Sequence, residues 1–163
     1  VGKVLITGMS GTGKTTVLEQ LRLRGYETVD TDVDGWCVWG TLPGDTDAGW
    51  LWHEDRMREL LARPRRVPLF VGGCVANQGK FYSQFDHIVL LSAPWKVMCE
   101  RLGRRTGNPY GKSDAEQTEI LRHLREVEPL LRAGADLELD SSIYTAGELA
   151  DILDHLGTSG GET

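Results

Sequence analysis

Eight consecutive residues, Gly8-Met9-Ser10-Gly11-Thr12-Gly13-Lys14-Thr15, set two glycines, a lysine and a hydroxyl at the spacing G-x-x-x-x-G-K-[ST], with a third glycine, Gly11, between them. Glycines let a loop wrap closely around phosphate, so that successive N–H groups and the start of a following helix point at anionic oxygens. In this pattern Lys14 neutralises the β- and γ-phosphates and Thr15 ligates Mg²⁺, with Gly8, Gly11, Thr12, Gly13 and Thr16 completing the cradle. The expectation is a nucleotide site for ATP with Mg²⁺. A glycine-rich structural turn is the alternative.

Other residues extend the chemistry. Asp30 and Asp32 stand two apart at the end of a short strand that begins at Tyr26, so an extended backbone turns both carboxylates the same way. One could hold Mg²⁺ through water while the other takes a proton from an acceptor hydroxyl; a solvated acidic turn is the competing reading, and Asp34 is a weaker candidate for either role. Arg101 and Arg105 are four apart and share a helical face. Cations of this kind suit phosphoryl transfer, whose transition state spreads negative charge over equatorial oxygens, although arginines at a helix C-terminus also answer the macrodipole. Trp36, Trp39, Trp50 and Trp52 crowd into 17 residues. They form either an aromatic wall for a flat or apolar substrate, with Arg56 among the polar contacts at the head of the next helix, or a small satellite core.

The elements that must position these groups follow from periodicity. Val4-Leu5-Ile6 reads as a strand, and Lys14 to Arg24 as a helix with Val17, Leu18 and Leu21 on one face. Tyr26 to Asp30, Val67 to Val71, Phe85 to Leu91 and Ala135 to Asp140 are further strands. Helices are expected from about Asp47 to Arg63, with Trp50, Met57, Leu60 and Leu61 as core contacts, and from Pro94 to about Arg105. Ser113 with Glu116, and Thr145 with Glu148, are capping boxes that open two more; Pro129 should kink or divide the first. Strands alternating with helices predict an α/β fold of three layers, a five-stranded parallel sheet with helices on both faces. Function then belongs at the carboxyl ends of the strands.

Composition sets limits. The 163 residues, 40% hydrophobic and 26% charged, suit one domain, expected over residues 1–157 with a frayed tail at 158–163. A net charge of −6 opposes a general nucleic-acid binder. No apolar run approaches membrane-spanning length and no signal-peptide pattern opens the chain, so a cytoplasmic protein is expected, a monomer or homodimer. Cys37, Cys74 and Cys99 lack CxxC spacing and read as structural thiols, and His53, His87, His123 and His155 show no metal-ligand spacing.

Taken together, the glycine loop, the Asp30-Thr31-Asp32 strand end and Gly72-Gly73-Cys74 after the third strand resemble the shikimate kinase, gluconate kinase and adenylate kinase group of small P-loop kinases. The resemblance implies that Asp30 is the Mg²⁺-side carboxylate and Asp32 the general base toward the acceptor hydroxyl. It also implies that Gly72 and Gly73 bring backbone close to the acceptor, and that residues 33–63, with Asp34, Trp36 and Arg56, form its binding region. Glu100 to Arg105 and the Gly/Asn/Pro stretch after it look like the entrance to a short lid at 104–113, with Arg101 toward adenine and Arg105 toward the transferring phosphate; Arg104 and Lys112 are alternatives. Three departures stand out. Cys74 occupies a common glycine position, no aspartate follows the third strand in the Walker-B place, and Val127 replaces an arginine two residues before Pro129. The implied activity is transfer of the γ-phosphoryl group of ATP to a small-molecule hydroxyl: a nucleoside, a sugar acid or an antibiotic-like compound. A P-loop ATPase or resistance-type ATP-binding protein, or a regulatory nucleotide-binding module, are the alternatives.

Overall fold

The computed structural model describes residues 1–104 and 113–159. Its centre is β1 (Lys3–Thr7), whose Val4, Leu5 and Ile6 are fully buried. Parallel partners flank it: β5 (Leu69–Gly72), with Val4 opposite Phe70, and β6 (His87–Ser92), with Val4 opposite His87. Outside these lie β2 (Glu27–Asp30) and β7 (Leu137–Asp140), giving the expected five-stranded parallel sheet in the order β2-β5-β1-β6-β7.

Alternation along β1 explains why both faces are covered, since successive side chains point to opposite sides. Val4 and Ile6 meet Val17, Leu18 and Leu21 of α1 (Lys14–Leu23) and Leu149 and Leu153 of α5 (Ala146–Ser159). Leu5 points the other way, into a cluster with Met57, Leu60 and Leu61 of α2 (Glu54–Ala62) and with Phe81 of a 3₁₀ stretch, Gln78–Gln84. A third cluster joins Met9 and Leu90 to Met98 of α3 (Trp95–Arg104) and Leu131 of α4 (Asp114–Gly134). Both expected caps form: Thr145 and Glu148 exchange the reciprocal bonds of a capping box at 3.0 and 3.1 Å, while Ser113 Oγ accepts the Glu116 N–H at 3.2 Å and donates to the Glu116 carboxylate at 2.8 Å.

The expected helix from Asp47 needs correcting. Residues 37–52 form an antiparallel hairpin, β3 (Cys37–Gly40) and β4 (Gly49–Trp52), with Cys37 opposite Trp52 and Trp39 opposite Trp50. Aromatic residues favour a pleated strand, and α2 begins only after its N-cap, His53, although Asp45, Thr46 and Asp47 are of cap-forming types. Trp50 is 61% exposed and stacks edge-on to Trp39, whereas Trp52 enters the core at 1% exposure. Pro129 does not divide α4, which runs unbroken through it. α5 continues to Ser159, so Thr158, expected in the tail, lies in its last turn, where its Oγ1 donates to the Asp154 carbonyl at 2.8 Å.

Candidate active site

The loop between β1 and α1 begins where the sheet's carboxyl edge opens. Gly13 is the N-cap of α1 in the left-handed region (φ 98°), which a β-carbon would strain, and no side chain caps the helix among the described residues. The first turn of α1 is therefore left to a ligand. Lys14 Nζ folds along the loop, donating to the Gly8 carbonyl and, at 3.1 Å, to that of Met9. Thr12 is buried and its hydroxyl donates to the Met9 carbonyl at 2.8 Å, which stiffens the turn. Gly8 and Gly11 each offer a carbonyl to a cation, Gly8 to Lys14 and Gly11 to Arg101.

From β2, Asp30 reaches across to α1: its Oδ2 accepts from Thr15 Oγ1 at 3.0 Å, and its Oδ1 accepts the Asp32 N–H at 3.1 Å. A hydroxyl and a carboxylate so placed fit a divalent cation, and the uncapped glycine turn beside them fits a polyphosphate. Asp30 and Asp32 share a cleft of about 820 Å³ with Gly11, Thr12, Gly13, Lys14, Thr15 and Thr16. Arg101 and Arg104 of α3 line the same cleft. Arg101 is held firmly: Nη1 donates to the Gly11 carbonyl (3.1 Å) and Ser141 Oγ (2.8 Å), and Nη2 to the Ser141 carbonyl (2.8 Å). Arg105 and the rest of the expected lid through Lys112 lie outside the described residues.

Asp34, Trp36, Arg56, Gly72 and Gly73 are not among the residues that line this cleft. Asp34, in the left-handed region (φ 62°), and Gly35 turn the chain after Asp32, so that the Asp34 carbonyl accepts from Arg56 Nη1 at 2.7 Å. The Arg56 guanidinium sits 4.1 Å above the centre of the Trp36 ring. Gly72 and Gly73 are buried; the Gly72 carbonyl accepts both the N–H (3.0 Å) and the hydroxyl (2.9 Å) of Thr31. A β-carbon on Gly73 would fall 2.2 Å from Thr31 Oγ1, so the strand exit is closed by Thr31 itself.

Two cysteines border Asp32. Cys37 Sγ donates to the Thr31 carbonyl at 3.0 Å, and burial, with the Asp32 charge next in weight, pushes its thiol up to about 11. Burial also raises Cys74, against the pull of the Lys14 ammonium. Sequence reasoning missed Ser141 and Tyr144, which line the cleft from the segment after β7. The rule placing function at strand carboxyl ends was the signal for them. Of the four histidines, His53 alone has a plausible place near the site in the sequence, and its imidazole caps α2.

A glycine turn feeding a helix at the carboxyl edge of a parallel sheet, with an acidic strand end facing it, defines a P-loop nucleotide-binding domain. The family model described as an AAA domain matches residues 4–122, and the chain belongs to that P-loop family. The chain is 30% identical to the shikimate kinase of Stenotrophomonas maltophilia (strain K279a) over 168 residues, covering 94% of this chain and 88% of that one. It belongs with such proteins to the group of small P-loop kinases. Among solved structures, shikimate kinase from Acinetobacter baumannii in complex with shikimate is similar, with a TM-score of 0.65 at 22% identity over 100% of this chain and 96% of that chain. A gluconokinase from Sinorhizobium meliloti 1021 is similar with a TM-score of 0.61 at 18% identity, covering 97% and 92%. These structures share the three-layer fold. No helix among the described residues is long and apolar enough to cross a membrane.

Proposed function

We propose that the chain transfers the γ-phosphoryl group of ATP to a hydroxyl of a small hydroxy acid, a sugar acid being the type. The observation that carries this reading is the contact between Thr15 Oγ1 and Asp30 Oδ2, with Asp32 two residues further along the same cleft. That arrangement supports a division of labour between a metal-side carboxylate, Asp30, and a second, Asp32, exposed in the same cleft on the acceptor's side. When bound, ATP supplies the phosphoryl group and Mg²⁺ screens its charge. Thr15 and Asp30 are the residues to hold the metal, and Lys14 with the N–H groups of the glycine turn is to hold the phosphates. Asp32 takes the proton of the acceptor hydroxyl as its oxygen bonds to phosphorus and the bond to the ADP oxygen breaks. Arg101 fixes the base side of the cleft, and Arg104, an exposed residue that lines the same cleft, is the described arginine to reach the transferring phosphate.

Arg56 supports this choice of acceptor class. A guanidinium fixed on Trp36 and on the Asp34 carbonyl has already given up its side-chain freedom, and that suits recognition of a carboxylate. Phosphoryl gain from ATP, read by mass spectrometry across a pool of hydroxy acids, nucleosides and antibiotics, tests the reading. The expected product is a phosphorylated hydroxy acid. ATP consumption without any acceptor would favour the ATPase, and no consumption under any condition the regulatory module. Arg56→Met is expected to raise the acceptor KM by roughly tenfold or more, with the ATP KM unchanged, since a hydrogen bond to a charged group contributes about 1.5–3 kcal/mol.

A further inference from the structure

His53 is an unusual N-cap. Its Nδ1 accepts the N–H of Arg56, the third residue of α2, at 3.2 Å, while its own N–H donates to the Trp36 carbonyl at 2.7 Å and its carbonyl accepts from Met57 at 3.0 Å. One residue thus ties the start of α2 to the base of the hairpin. The residue it caps is the one whose guanidinium lies on Trp36 and reaches Asp34. Asn, Asp, Ser and Thr cap helices at any ordinary pH, but an imidazole does so only while Nδ1 keeps its lone pair.

We propose that His53 is the positioning residue for Arg56, holding the guanidinium on Trp36 while the imidazole is neutral and releasing it on protonation. This rests on the reading that Arg56 serves the acceptor, and it adds a proton-dependent step to that same site. Protonation removes the acceptor at Nδ1 and places a cation at the positive end of α2, so the capped geometry is lost on two counts. The charged groups around His53 do not supply another acceptor for the Arg56 N–H. Glu54, Asp55 and Arg58 share its groove from α2, the hairpin contributes Val38, Leu51 and Trp52, and Asn77 is the neighbour from the third side. Glu54 is engaged by Asn77 Nδ2 at 3.1 Å and by Lys80 at 3.2 Å, and Asp55 by Arg58 at 2.7 Å.

The test needs no acceptor. In protein labelled with ¹⁵N at arginine and histidine, the Arg56 side-chain signal, displaced by the Trp36 ring current and assigned with Arg56→Lys, is followed from pH 8 to 5.5, above the ordinary carboxylate range. The expected result is a loss of most of that displacement with the same midpoint as the His53 imidazole. His53→Asn, a cap that does not titrate there, should keep the displacement across the whole range. His53→Ala should show a reduced displacement at every pH, with far-UV circular dichroism reporting that the fold persists. An Arg56 signal that stays put while His53 titrates, or a His53→Ala protein with the wild-type displacement, overturns the proposal. Failure of the Arg56→Met kinase assay to move the acceptor KM would instead remove the acceptor role and leave this device standing.

Discussion

Asp30 and Asp32 have the same side chain and nearly the same place in sequence, yet their surroundings separate them. Asp30 is committed on both oxygens, to Thr15 and to the Asp32 N–H, whereas Asp32 is exposed in the cleft and its charge is felt by both neighbouring cysteines. Asp30→Asn is expected to raise the Mg²⁺ concentration needed for half-maximal turnover by about tenfold, because one formal charge leaves the metal side. Asp32→Asn should spare ATP binding and cut kcat by roughly 10² to 10⁴, the range of general-base catalysis. Retained transfer by Asp32→Asn, measured beside nucleotide titration on the same sample, would remove the base assignment. Cys37 reports on the same charge. With its thiol pushed up to about 11, only a small part is thiolate at pH 8, so alkylation by iodoacetamide should be slow there and accelerate toward pH 11. Removing the neighbouring negative charge in Asp32→Asn favours the thiolate, so the profile of Cys37 should shift to lower pH. Mass-spectrometric labelling rates at Cys37 across pH check the sign.

At the scale of elements, legibility followed the strength of local patterns. The glycine turn, the buried aliphatic strands and the two capping boxes are short signals whose meaning is set by neighbours in sequence, and they stand where periodicity put them. The hairpin was hidden because Gly49-Trp50-Leu51-Trp52 is too short to show a period, and the charged turn of α2 directly after it extends a helical reading backwards. The site was half legible for the same reason. Asp30, Asp32 and Lys14 belong to one crossover unit, but Ser141 and Tyr144 join the cleft only through the pairing of β6 with β7, which no local spacing records. The hairpin itself gives a test. Trp52 packs on Phe81 and Phe85 with ring centres 5.7 and 6.5 Å away, while Trp39 and Trp50 stand in solvent. Trp52→Ala should cost about 3–5 kcal/mol in denaturant unfolding, the loss expected for a fully buried aromatic. Trp39→Ala should stay within about 1 kcal/mol, as one exposed member of a cross-strand pair. Equal losses would contradict the division of the hairpin into an anchored base and a free tip.

Across the whole molecule, three distant stretches of chain meet at one guanidinium. Arg101 comes from α3, the Gly11 carbonyl from the glycine turn, and Ser141 from the segment after β7, and that segment is in turn fixed by the Ser141 N–H donating to Ser92 at 2.8 Å. The cleft's two walls are thus joined through a planar fork that reaches three acceptors at once, a geometry lysine does not reproduce. The join should be visible as ligand-linked stability. ATP with Mg²⁺ at about 100 times its Kd adds roughly 2.7 kcal/mol to the native state, which for a domain of this length is a rise in Tm of about 5–10 °C. If Arg101→Ala weakens ATP binding about tenfold, the same ATP concentration stabilises by only about half as much, and the rise should shrink accordingly. Arg101→Lys should keep the charge yet lose most of the same increment, because the bonds to Gly11 and to both Ser141 oxygens depend on the fork. Lys14→Ala should abolish turnover and most of the rise, giving the lower reference for the series. Thermal unfolding with and without ATP and Mg²⁺, together with the ATP KM, reads all three variants. An Arg101→Lys protein with the full rise would mean that charge alone matters at this position, and that the two walls of the cleft are held together by the sheet rather than by the arginine.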